Sequence, residues 1–317
     1  MNTHFWLSTL IQVVVYAAIS PLLVGLIRKL KATSQGRRGA TMLQPYWDLY
    51  KLFSKEVRIA HTASPLFRAA PYIVFVACLL AAAAVPLFMA NVDSTRVADV
   101  IVIAGMLALA RVFVALAGMD VGTAFGGMGA SREMFIGALA EPAMLLALFT
   151  LAMTAHSTNL SSMISYQLQH AIILKPSFLF ALVGLLMVAV AECGRIPIDN
   201  PSTHLELTMV HEAMILEYSG RHLALMEWAS YIKLMLYAVL IANVFIPWGI
   251  ASEPGVIAIA IALLAILAKL LALALLLVLS EAVLAKMRLF RAPTYLNLAL
   301  LLSLLGLLSH VILEVNA

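Results

Sequence analysis

Long apolar stretches, each bounded by polar residues, dominate the hydrophobic pattern of the chain. About 20 apolar residues in helical conformation cross the hydrocarbon core of a bilayer. The pattern therefore predicts an all-α polytopic membrane protein with eight transmembrane helices, near residues 5–27, 71–89, 97–118, 133–154, 177–195, 225–247, 256–280 and 294–313. No soluble domain interrupts these stretches, so we expect a single membrane domain over residues 1–317.

The composition agrees with this class. The 317 residues are 63% hydrophobic and 11% charged, and the mean hydropathy is +1.01. A soluble domain this apolar would expose too much hydrophobic surface. The first apolar run lacks a basic start and a small-residue cleavage site, so we expect a retained span rather than a removed signal peptide.

Lysine and arginine are concentrated on one side of the expected topology. The connecting loops 28–70, 119–132, 196–224 and 281–293 hold nearly all of them, whereas the side of the termini holds Arg96 and Lys175. Because basic loops stay in the cytoplasm, we expect both termini to be extracytoplasmic. The net charge of +4 is thus a topology signal. The lipid bilayer is an expected partner, and nucleic acid is not.

An amphipathic helix is predicted in the first basic loop. Pro45 suits the first turn of a helix, and the apolar residues that follow recur at helical spacing. They are Tyr46, Leu49, Tyr50, Phe53 and Val57. Two compatible interpretations remain open: a helix on the membrane surface, and a lid or docking ledge for a soluble subunit.

Ionisable residues inside apolar spans form the main chemical signal. Such residues are costly in the membrane unless they are paired or hydrated. Those deep in the predicted spans are Arg111, Glu141, Glu192, Lys233 and Lys269, with Glu133 and Glu281 near cytoplasmic ends. Each one alone could be a structural helix–helix pair, but together they suggest one hydrated polar axis.

The segment 191–220 is the richest in carboxylates, with Glu192, Asp199, Glu206, Glu212 and Glu217. Asn200-Pro201 is typical of a helix start and Gly220 of a helix stop, which predicts a helix over 201–217. On this helix His204, Thr208, His211 and Glu212 share one face, and Glu206 and Glu217 lie nearly opposite. Two polar faces indicate an element between a partner protein and an internal aqueous cavity.

The candidate metal ligands do not form a recognisable site. His204, Glu206, His211 and Glu212 lack the spacing of a zinc motif, which favours structural or proton-handling histidines. Cys78 and Cys193 are isolated, so the chain cannot build an iron–sulfur cluster of its own. The glycines between Gly118 and Gly129 predict a compact loop that can approach another backbone closely.

Seven motifs carry a resemblance along essentially the whole chain. They are RRGATMLQPYWDLYKLFSKE (37–56), GMDVGTAFGGMGASRE (118–133), LAEP (139–142), AECGRIPIDNP (191–201), ELTMVHEAMILEYSG (206–220), FIPWG (245–249) and SEAVLAKMRL (280–289). In this order they resemble the H-type (subunit 1) membrane protein family of complex I. They are still more similar to its branch in group 4 membrane-bound hydrogenases, the formate hydrogenlyase subunit 4 and hydrogenase-4 component C type.

The resemblance implies a non-catalytic subunit of an oxidoreductase complex in a bacterial or archaeal cytoplasmic (inner) membrane. Such a subunit docks a peripheral iron–sulfur small subunit and a nickel–iron-like large subunit, lies beside antiporter-like membrane subunits, and begins the proton path. It binds no cofactor alone, and any quinone would lie at its interface with partners. The alternatives are the quinone-chamber subunit of an NADH:quinone oxidoreductase-like complex and, from another class, a stand-alone ion transporter.

The resemblance also suggests roles for individual residues. The expected proton path comprises Glu133, Glu141, Glu192, Asp199, Lys233, Lys269 and Glu281. The expected chamber or docking residues are Arg37, Arg38, Arg111, Asp120, Arg195, His204, Glu206, His211, Glu212 and Glu217. The acid-rich run of the family after Asp199 retains only Glu206 here. We therefore hypothesise that His204, His211 and Glu212 replace the missing acids.

Overall fold

The computed structural model describes residues 3–89, 98–169, 175–199, 209–251, 255–287 and 291–314. These residues form the α-helices α1 (Thr3–Ser34), α2 (Gln44–Phe53), α3 (Pro65–Ala84), α4 (Val100–Asp120), α5 (Ala124–Ala155), α6 (Leu160–Gln169), α7 (Pro176–Glu192), α8 (His211–Ile215), α9 (Gly220–Phe245), α10 (Val256–Val283) and α11 (Ala292–Ser309). Within these ranges β-structure is limited to isolated bridges. The all-α prediction is confirmed.

The apolar helices coincide with the predicted spans. Within the described residues, seven helices are long and apolar enough to cross a membrane, namely α1, α3, α4, α5, α9, α10 and α11. The fifth predicted span corresponds to α7, a shorter apolar helix of 17 residues that is about 25 Å long. The chain is therefore a multi-pass membrane protein.

Contacts between helix ends show how the chain alternates through the bundle. At one end, Lys31 near the end of α1 bonds to Glu281 near the end of α10, with 2.6 Å between Nζ and Oε2. Asp120, which ends α4, accepts a hydrogen bond from the backbone N–H of Ser64 before α3. At the other end, Gln12 on α1 donates to the carbonyl of Ala82 in the last turn of α3. The described parts of the predicted basic loops thus gather at one end of the bundle.

The long helix α9 lies at the centre of the bundle and packs against α1, α3 and α7. Its Tyr237 is fully buried, as are Tyr16 on α1 and Phe67 on α3. The helices α5, α7 and α11 form a second packed group. In contrast, α10 lies at the periphery against α1 and α9, with most of its surface exposed. The interior is therefore built around α9, where an ionisable side chain is hardest to hydrate.

The predicted glycine-rich loop over 119–132 is wrong in its extent. The helix α5 already begins at Ala124, and the Thr123 hydroxyl caps it by accepting from the backbone N–H of Gly126. Most of the glycines therefore lie in the first turns of a helix. The expected close approach is present, because a Cβ on Gly129 would lie 2.9 Å from Ala213 Cβ. The absence of a side chain at Gly129 therefore allows α8 to pack directly against α5.

The predicted helix over 201–217 is wrong within its described part. Residues 200–208 lie outside the described ranges, and after them only His211–Ile215 are helical. Tertiary contacts explain the difference. Asp199 Oδ2 accepts from the backbone N–H of Val210 at 3.1 Å, and Arg132 Nη1 donates to the carbonyl of Met209 at 3.1 Å. These bonds fix residues 209–210 outside the helix.

The interpretation of Gly220 as a helix stop is also wrong, since it is the first residue of α9. Its φ of +53° lies in the left-handed region, and a Cβ there would lie 2.8 Å from the carbonyl oxygen of Glu56. Only glycine fits both demands without strain. The sixth span consequently starts five residues earlier than the predicted residue 225.

The amphipathic helix is present as α2, with Pro45 in its first turn. Leu49 is buried, whereas Tyr50 is 71% exposed and Trp47 is 63% exposed. Val57 follows the end of the helix and is not part of its stripe. The helix therefore presents an exposed aromatic surface beside its buried Leu49 edge.

Candidate functional site

Five side chains from four helices meet in the interior of the bundle, and we call them the inner ion cluster. Arg111 on α4 forms charged hydrogen bonds with Glu141 on α5 and with Glu192 on α7. Its Nε lies 3.7 Å from Oε1 of Glu133, also on α5. Lys233 on α9 lies 2.8 Å from the second carboxylate oxygen of Glu192. The cluster joins α4, α5, α7 and α9 through one buried arginine.

The local sequence of α5 explains how Arg111 fits against that helix. Glu133, Gly137 and Glu141 are spaced by four residues and therefore lie along one side of α5. A Cβ on Gly137 would lie 2.7 Å from Arg111 Cδ and 2.8 Å from Arg111 Cζ. The glycine thus leaves the space in which the guanidinium reaches both carboxylates.

The inner ion cluster carries a formal excess of one negative charge, because it contains two cations and three carboxylates. The side chains of Arg111 and Glu192 are 3% and 2% exposed, whereas that of Glu141 is 36% exposed. Buried charges persist only when they are paired. One additional proton would make the cluster formally neutral.

A cavity of about 710 Å³ lies against the inner ion cluster. Its walls come from α1, α3, α4, α5, α7, α8, α9 and the segment after α7. The acidic, basic and histidine side chains in these walls are Arg28, Lys31, Arg111, Glu133, Glu192, Arg195, Asp199, His211, Glu212, Glu227 and Lys233. The volume is in the range of ligand-binding pockets, and apolar side chains such as Val24, Ile27 and Val74 share the walls with the charged ones. The cavity therefore lies in direct contact with Arg111, Glu133, Glu192 and Lys233 of the inner ion cluster.

A second group of charges, the outer ion cluster, ties together the helix ends beside the cavity. Glu281 near the end of α10 lies 2.6 Å from Lys31 on α1 and 3.7 Å from Arg195 after α7. Asp199 lies 3.5 Å from Lys286. The Glu281 side chain is only 1% exposed, so this cluster fixes the ends of α1, α7 and α10 against one another.

The loop element α8 contributes two titratable side chains to the cavity wall, His211 and Glu212. The Nε2 atom of His211 is buried without a hydrogen-bond partner among the described residues. Burial lowers the pKa of the His211 imidazole below its usual range, and the nearby carboxylates of Glu133 and Asp199 partly offset this. The imidazole is therefore neutral at pH 7.

The remaining predicted residues lie apart from both clusters. Lys269 contacts Asn243 on α9, with 3.3 Å between Nζ and Oδ1, so the structure does not bring it into the polar axis with Arg111. Asp120 caps the start of α3 through Ser64. Arg37, Arg38 and Glu217 are exposed, whereas His204 and Glu206 lie outside the described residues. The roles assigned to all of these residues stay predictions.

The sequence reasoning missed Glu227 on α9. This carboxylate lines the cavity and accepts a hydrogen bond from the Tyr231 hydroxyl at 2.9 Å. Arg28 packs over the Tyr231 ring at 5.9 Å and lies 3.7 Å from Asp48 on α2. An acid within an apolar span was the signal that identified Glu192, and the same signal would have found Glu227.

Among the described residues no group of three or more histidine, cysteine or acidic side chains could hold a metal ion.

The fold and the site define a class: a multi-pass membrane protein that encloses a charged cavity beside a buried ion cluster. The family model described as NADH dehydrogenase matches residues 7–311. The chain therefore belongs to the family of NADH dehydrogenase subunit 1, the H-type membrane proteins, and the resemblance inferred from its motifs is confirmed.

Curated relatives place the chain within this family. Hydrogenase-4 component C of Escherichia coli (strain K12) is 35% identical over 280 residues, which cover 88% of this chain and 87% of that protein. Formate hydrogenlyase subunit 4 of the same organism is 33% identical over 243 residues, covering 77% and 78%. The H-type subunit of the NADH-quinone oxidoreductase of Neorickettsia sennetsu is 29% identical over 288 residues, covering 79% and 82%.

A solved structure supports the fold. A chain of the membrane-bound sulfane sulfur reductase, an archaeal respiratory membrane complex, superposes with a TM-score of 0.80. The match covers 96% of this chain and 99% of that chain at 20% sequence identity. The architecture of the helices is thus shared with a subunit of a respiratory membrane complex.

Proposed function

We propose that the chain is the membrane anchor and proton-coupling subunit of a complex I-like, group 4 hydrogenase-type oxidoreductase complex. Its curated relatives include subunits named for hydrogenase-4 and for formate hydrogenlyase. The observation that carries the proposal is the placement of the inner ion cluster against the 710 Å³ cavity. In this function the cavity is a coupling chamber, and the cluster begins the proton path.

The charges of the inner ion cluster support a path into the membrane. Glu133 and Glu192 line the cavity, so they can exchange protons with water there. Glu141 lies eight residues beyond Glu133 on α5, which corresponds to about 12 Å along the helix. Its side chain is the most exposed carboxylate of the cluster. A proton taken up at the cavity therefore has an exit at Glu141, on the side of the bundle where a partner membrane subunit would continue the path.

The basic end of the bundle is the proposed docking face for the peripheral subunits, an iron–sulfur small subunit and a nickel–iron-like large subunit. The positive-inside rule supports a cytoplasmic position for this end and an extracytoplasmic position for both termini. Arg37 and Arg38 are exposed there, as are Trp47 and Tyr50 on α2. Exposed aromatic and arginine side chains are typical of protein interfaces. A protease-cleavable tag in loop 28–70 should be cut only from the cytoplasmic side.

Purification of the complex through a tag on this chain tests the proposal. We expect membrane subunits and iron–sulfur proteins to co-purify in fixed ratio, with iron and nickel in the preparation and hydrogen evolution or oxidation as the activity. A chain that purifies alone in mild detergent and retains ion transport after reconstitution would instead establish the stand-alone transporter.

A second candidate function is the quinone-chamber subunit of an NADH:quinone oxidoreductase-like complex. Apolar side chains such as Val24, Ile27 and Val74 form one wall of the cavity. This wall favours the second function, because a quinone is largely apolar. A quinone would then bind between this chain and its partners. Quinone reduction by the purified complex, without hydrogen turnover, would select this function over the first.

A further inference from the structure

Two exposed arginines lie at the basic end of the bundle, where membrane helices begin. Arg68 is the fourth residue of α3 and Arg221 is the second residue of α9, and both side chains are exposed. The apolar runs of these helices start at residues 71 and 225, so each arginine precedes its run by three or four residues. This corresponds to about 5 Å along a helix. Both guanidiniums therefore lie at the depth of lipid headgroups.

The two arginines lie around one buried histidine. Their positive charges both act on the ring of His222. His222 is 4% exposed, and its Nδ1 atom has no hydrogen-bond partner among the described residues. The Tyr72 ring meets the imidazole edge-on, with 5.6 Å between the ring centroids, and is itself 45% exposed. These four side chains form a surface between α3 and α9 that we call the arginine patch.

The positive charge of the arginine patch is not compensated by acidic side chains. Neither Arg68 nor Arg221 takes part in an ion pair among the described residues, whereas Arg58 in the preceding loop pairs with Glu56 at 3.4 Å. Glu217, four residues before Arg221, is exposed and forms no ion pair in the described part of the chain. Basic residues at the membrane surface attract anionic lipid headgroups. The patch therefore has the charge that an anionic headgroup requires.

A strip of exposed side chains leads from the arginine patch into the membrane. Tyr72, Val76 and Leu80 follow Arg68 on α3 at intervals of four residues, so they lie along one side of the helix. Val76 is 50% exposed and Leu80 is 51% exposed. The strip from Tyr72 to Leu80 is about 12 Å long, and half of the hydrocarbon core is about 15 Å thick. It thus extends through most of one leaflet, where a soluble subunit docked on the helix ends does not reach.

We propose that the arginine patch binds the headgroup of an anionic phospholipid and that an acyl chain of this lipid lies along Val76 and Leu80. Arginine matches the geometry of phosphate oxygens, and an aromatic ring such as Tyr72 is favoured at the membrane interface. A headgroup that hydrogen-bonds to His222 Nδ1 would satisfy the buried polar atom that the patch leaves unpaired. Charge and depth together select this occupant. The site is independent of the proposed function, because it requires a lipid and no redox partner.

Photolabelling of the chain in its native assembly tests the site. The tagged chain, with the subunits that accompany it, is exchanged into nanodiscs of phosphatidylglycerol or of phosphatidylethanolamine. A trace of the same lipid carries a diazirine in its acyl chain, and labelled peptides are mapped by mass spectrometry. We expect phosphatidylglycerol to label the segment with Val76 and Leu80 about tenfold more than phosphatidylethanolamine does, because both arginines gain from a net anionic headgroup.

Two double variants separate this site from general surface charge. Arg68→Gln/Arg221→Gln should lower the labelling by phosphatidylglycerol to the level of phosphatidylethanolamine. Lys55→Gln/Arg58→Gln is the matched control, because it also removes two positive charges from exposed side chains near the start of α3. This control should label as the wild type does.

Four outcomes would overturn the proposal, and the first three need only the wild-type protein. Equal labelling of the segment by both lipids would show an unspecific lipid layer. Absence of labelling by phosphatidylglycerol would show that another membrane helix covers the strip. Loss of the preference in excess inorganic phosphate would identify a free anion as the ligand. Wild-type labelling in the Arg68→Gln/Arg221→Gln variant would show that the guanidiniums do not hold the headgroup. None of these outcomes alters the proposed function, which depends on the co-purifying subunits.

Discussion

Replacing Gly137 with alanine tests whether the position of Arg111 holds the inner ion cluster together. The added methyl group would lie 2.7 Å from Arg111 Cδ and 2.8 Å from Cζ. Carbon atoms in favourable contact are about 3.5–4.0 Å apart, so the arginine must retreat by about 0.7 Å or more. Its contacts with Glu133, Glu141 and Glu192 oppose this movement. The substitution therefore pushes a buried cation away from three carboxylates at once.

Two opposing terms set the magnitude. Glycine-to-alanine replacement inside a helix favours folding by about 1 kcal/mol. Separation of a buried charge from its partners costs about 3–5 kcal/mol. The expected net loss in the free energy of unfolding for Gly137→Ala is the difference, about 2–4 kcal/mol.

Gly127→Ala in the same helix is the matched control, because no heavy atom lies within 4 Å of a Cβ placed on Gly127. We expect this variant to be as stable as the wild type or slightly more stable. Unfolding of the purified complexes in mixed micelles measures stability, and proton uptake per turnover in inverted membrane vesicles measures coupling. If both variants were equally stable and pumped equally well, the guanidinium would not depend on the space at Gly137, and the proposed cluster geometry would be wrong.

Substitutions of Glu192, His211 and Glu281 probe the other groups. Glu192→Gln should lower proton translocation while the complex stays assembled. This variant leaves the Lys233 ammonium unpaired and should lower the stability of the complex. The double variant Glu192→Gln/Lys233→Met removes that ammonium, so it should recover the lost stability without restoring translocation. His211→Gln should weaken only the acid limb of the pH–activity profile, because burial lowers the pKa of His211 and its imidazole takes up a proton only below the usual range. Glu281→Gln should lower the free energy of unfolding by about 1.5–3 kcal/mol, whereas Glu56→Gln, whose side chain is 86% exposed, should change nothing.

Each of these predictions has an outcome that contradicts it. Unchanged pumping in Glu192→Gln would remove Glu192 from the proton path. An unaltered pH profile in His211→Gln would assign the histidine a packing role only. If Glu281→Gln matched Glu56→Gln in stability, the outer ion cluster would not hold the helix ends together.

The meeting of Arg111, Glu141, Glu192 and Lys233 follows from a simple physical rule. Each is too costly to leave alone in an apolar span, so the sequence already indicates that such residues meet. The same rule does not say which of them meet. Lys269 obeys it too, yet the structure places it beside Asn243, because the depth of a residue on its helix does not specify which neighbouring helix it faces.

Contacts between distant segments account for what the sequence did not reveal. Lys31 and Glu281 are 250 residues apart, and no local pattern relates them. The segment before α8 has plausible signals for a helix start. However, the Val210 N–H donates to Asp199 and the Arg132 guanidinium donates to the Met209 carbonyl, and these bonds hold residues 209–210 in another conformation. Local propensities are weak, and tertiary hydrogen bonds of this kind override them.

The two ion clusters have opposite excess charge, which creates an electric field along the cavity between them. The inner cluster has three carboxylates and two cations, an excess of one negative charge. Among the described residues the outer cluster has three cations and two carboxylates, Lys31, Arg195 and Lys286 with Asp199 and Glu281, an excess of one positive charge. Since buried charges are poorly screened, under the proposed function the resulting field would draw a proton in the cavity away from the helix ends and towards Glu133 and Glu192.

Conversion of Lys31 to methionine would remove the positive excess of the outer cluster without changing any residue of the inner one. A positive charge nearby opposes proton binding, so its loss should let the inner cluster hold its proton more tightly and release it less readily. Proton translocation in inverted vesicles should then extend to higher pH but run more slowly at its maximum. A profile identical to that of the wild type would show that the outer charges act only as a clamp on the helix ends, because a field along the cavity must respond when one of its sources is removed.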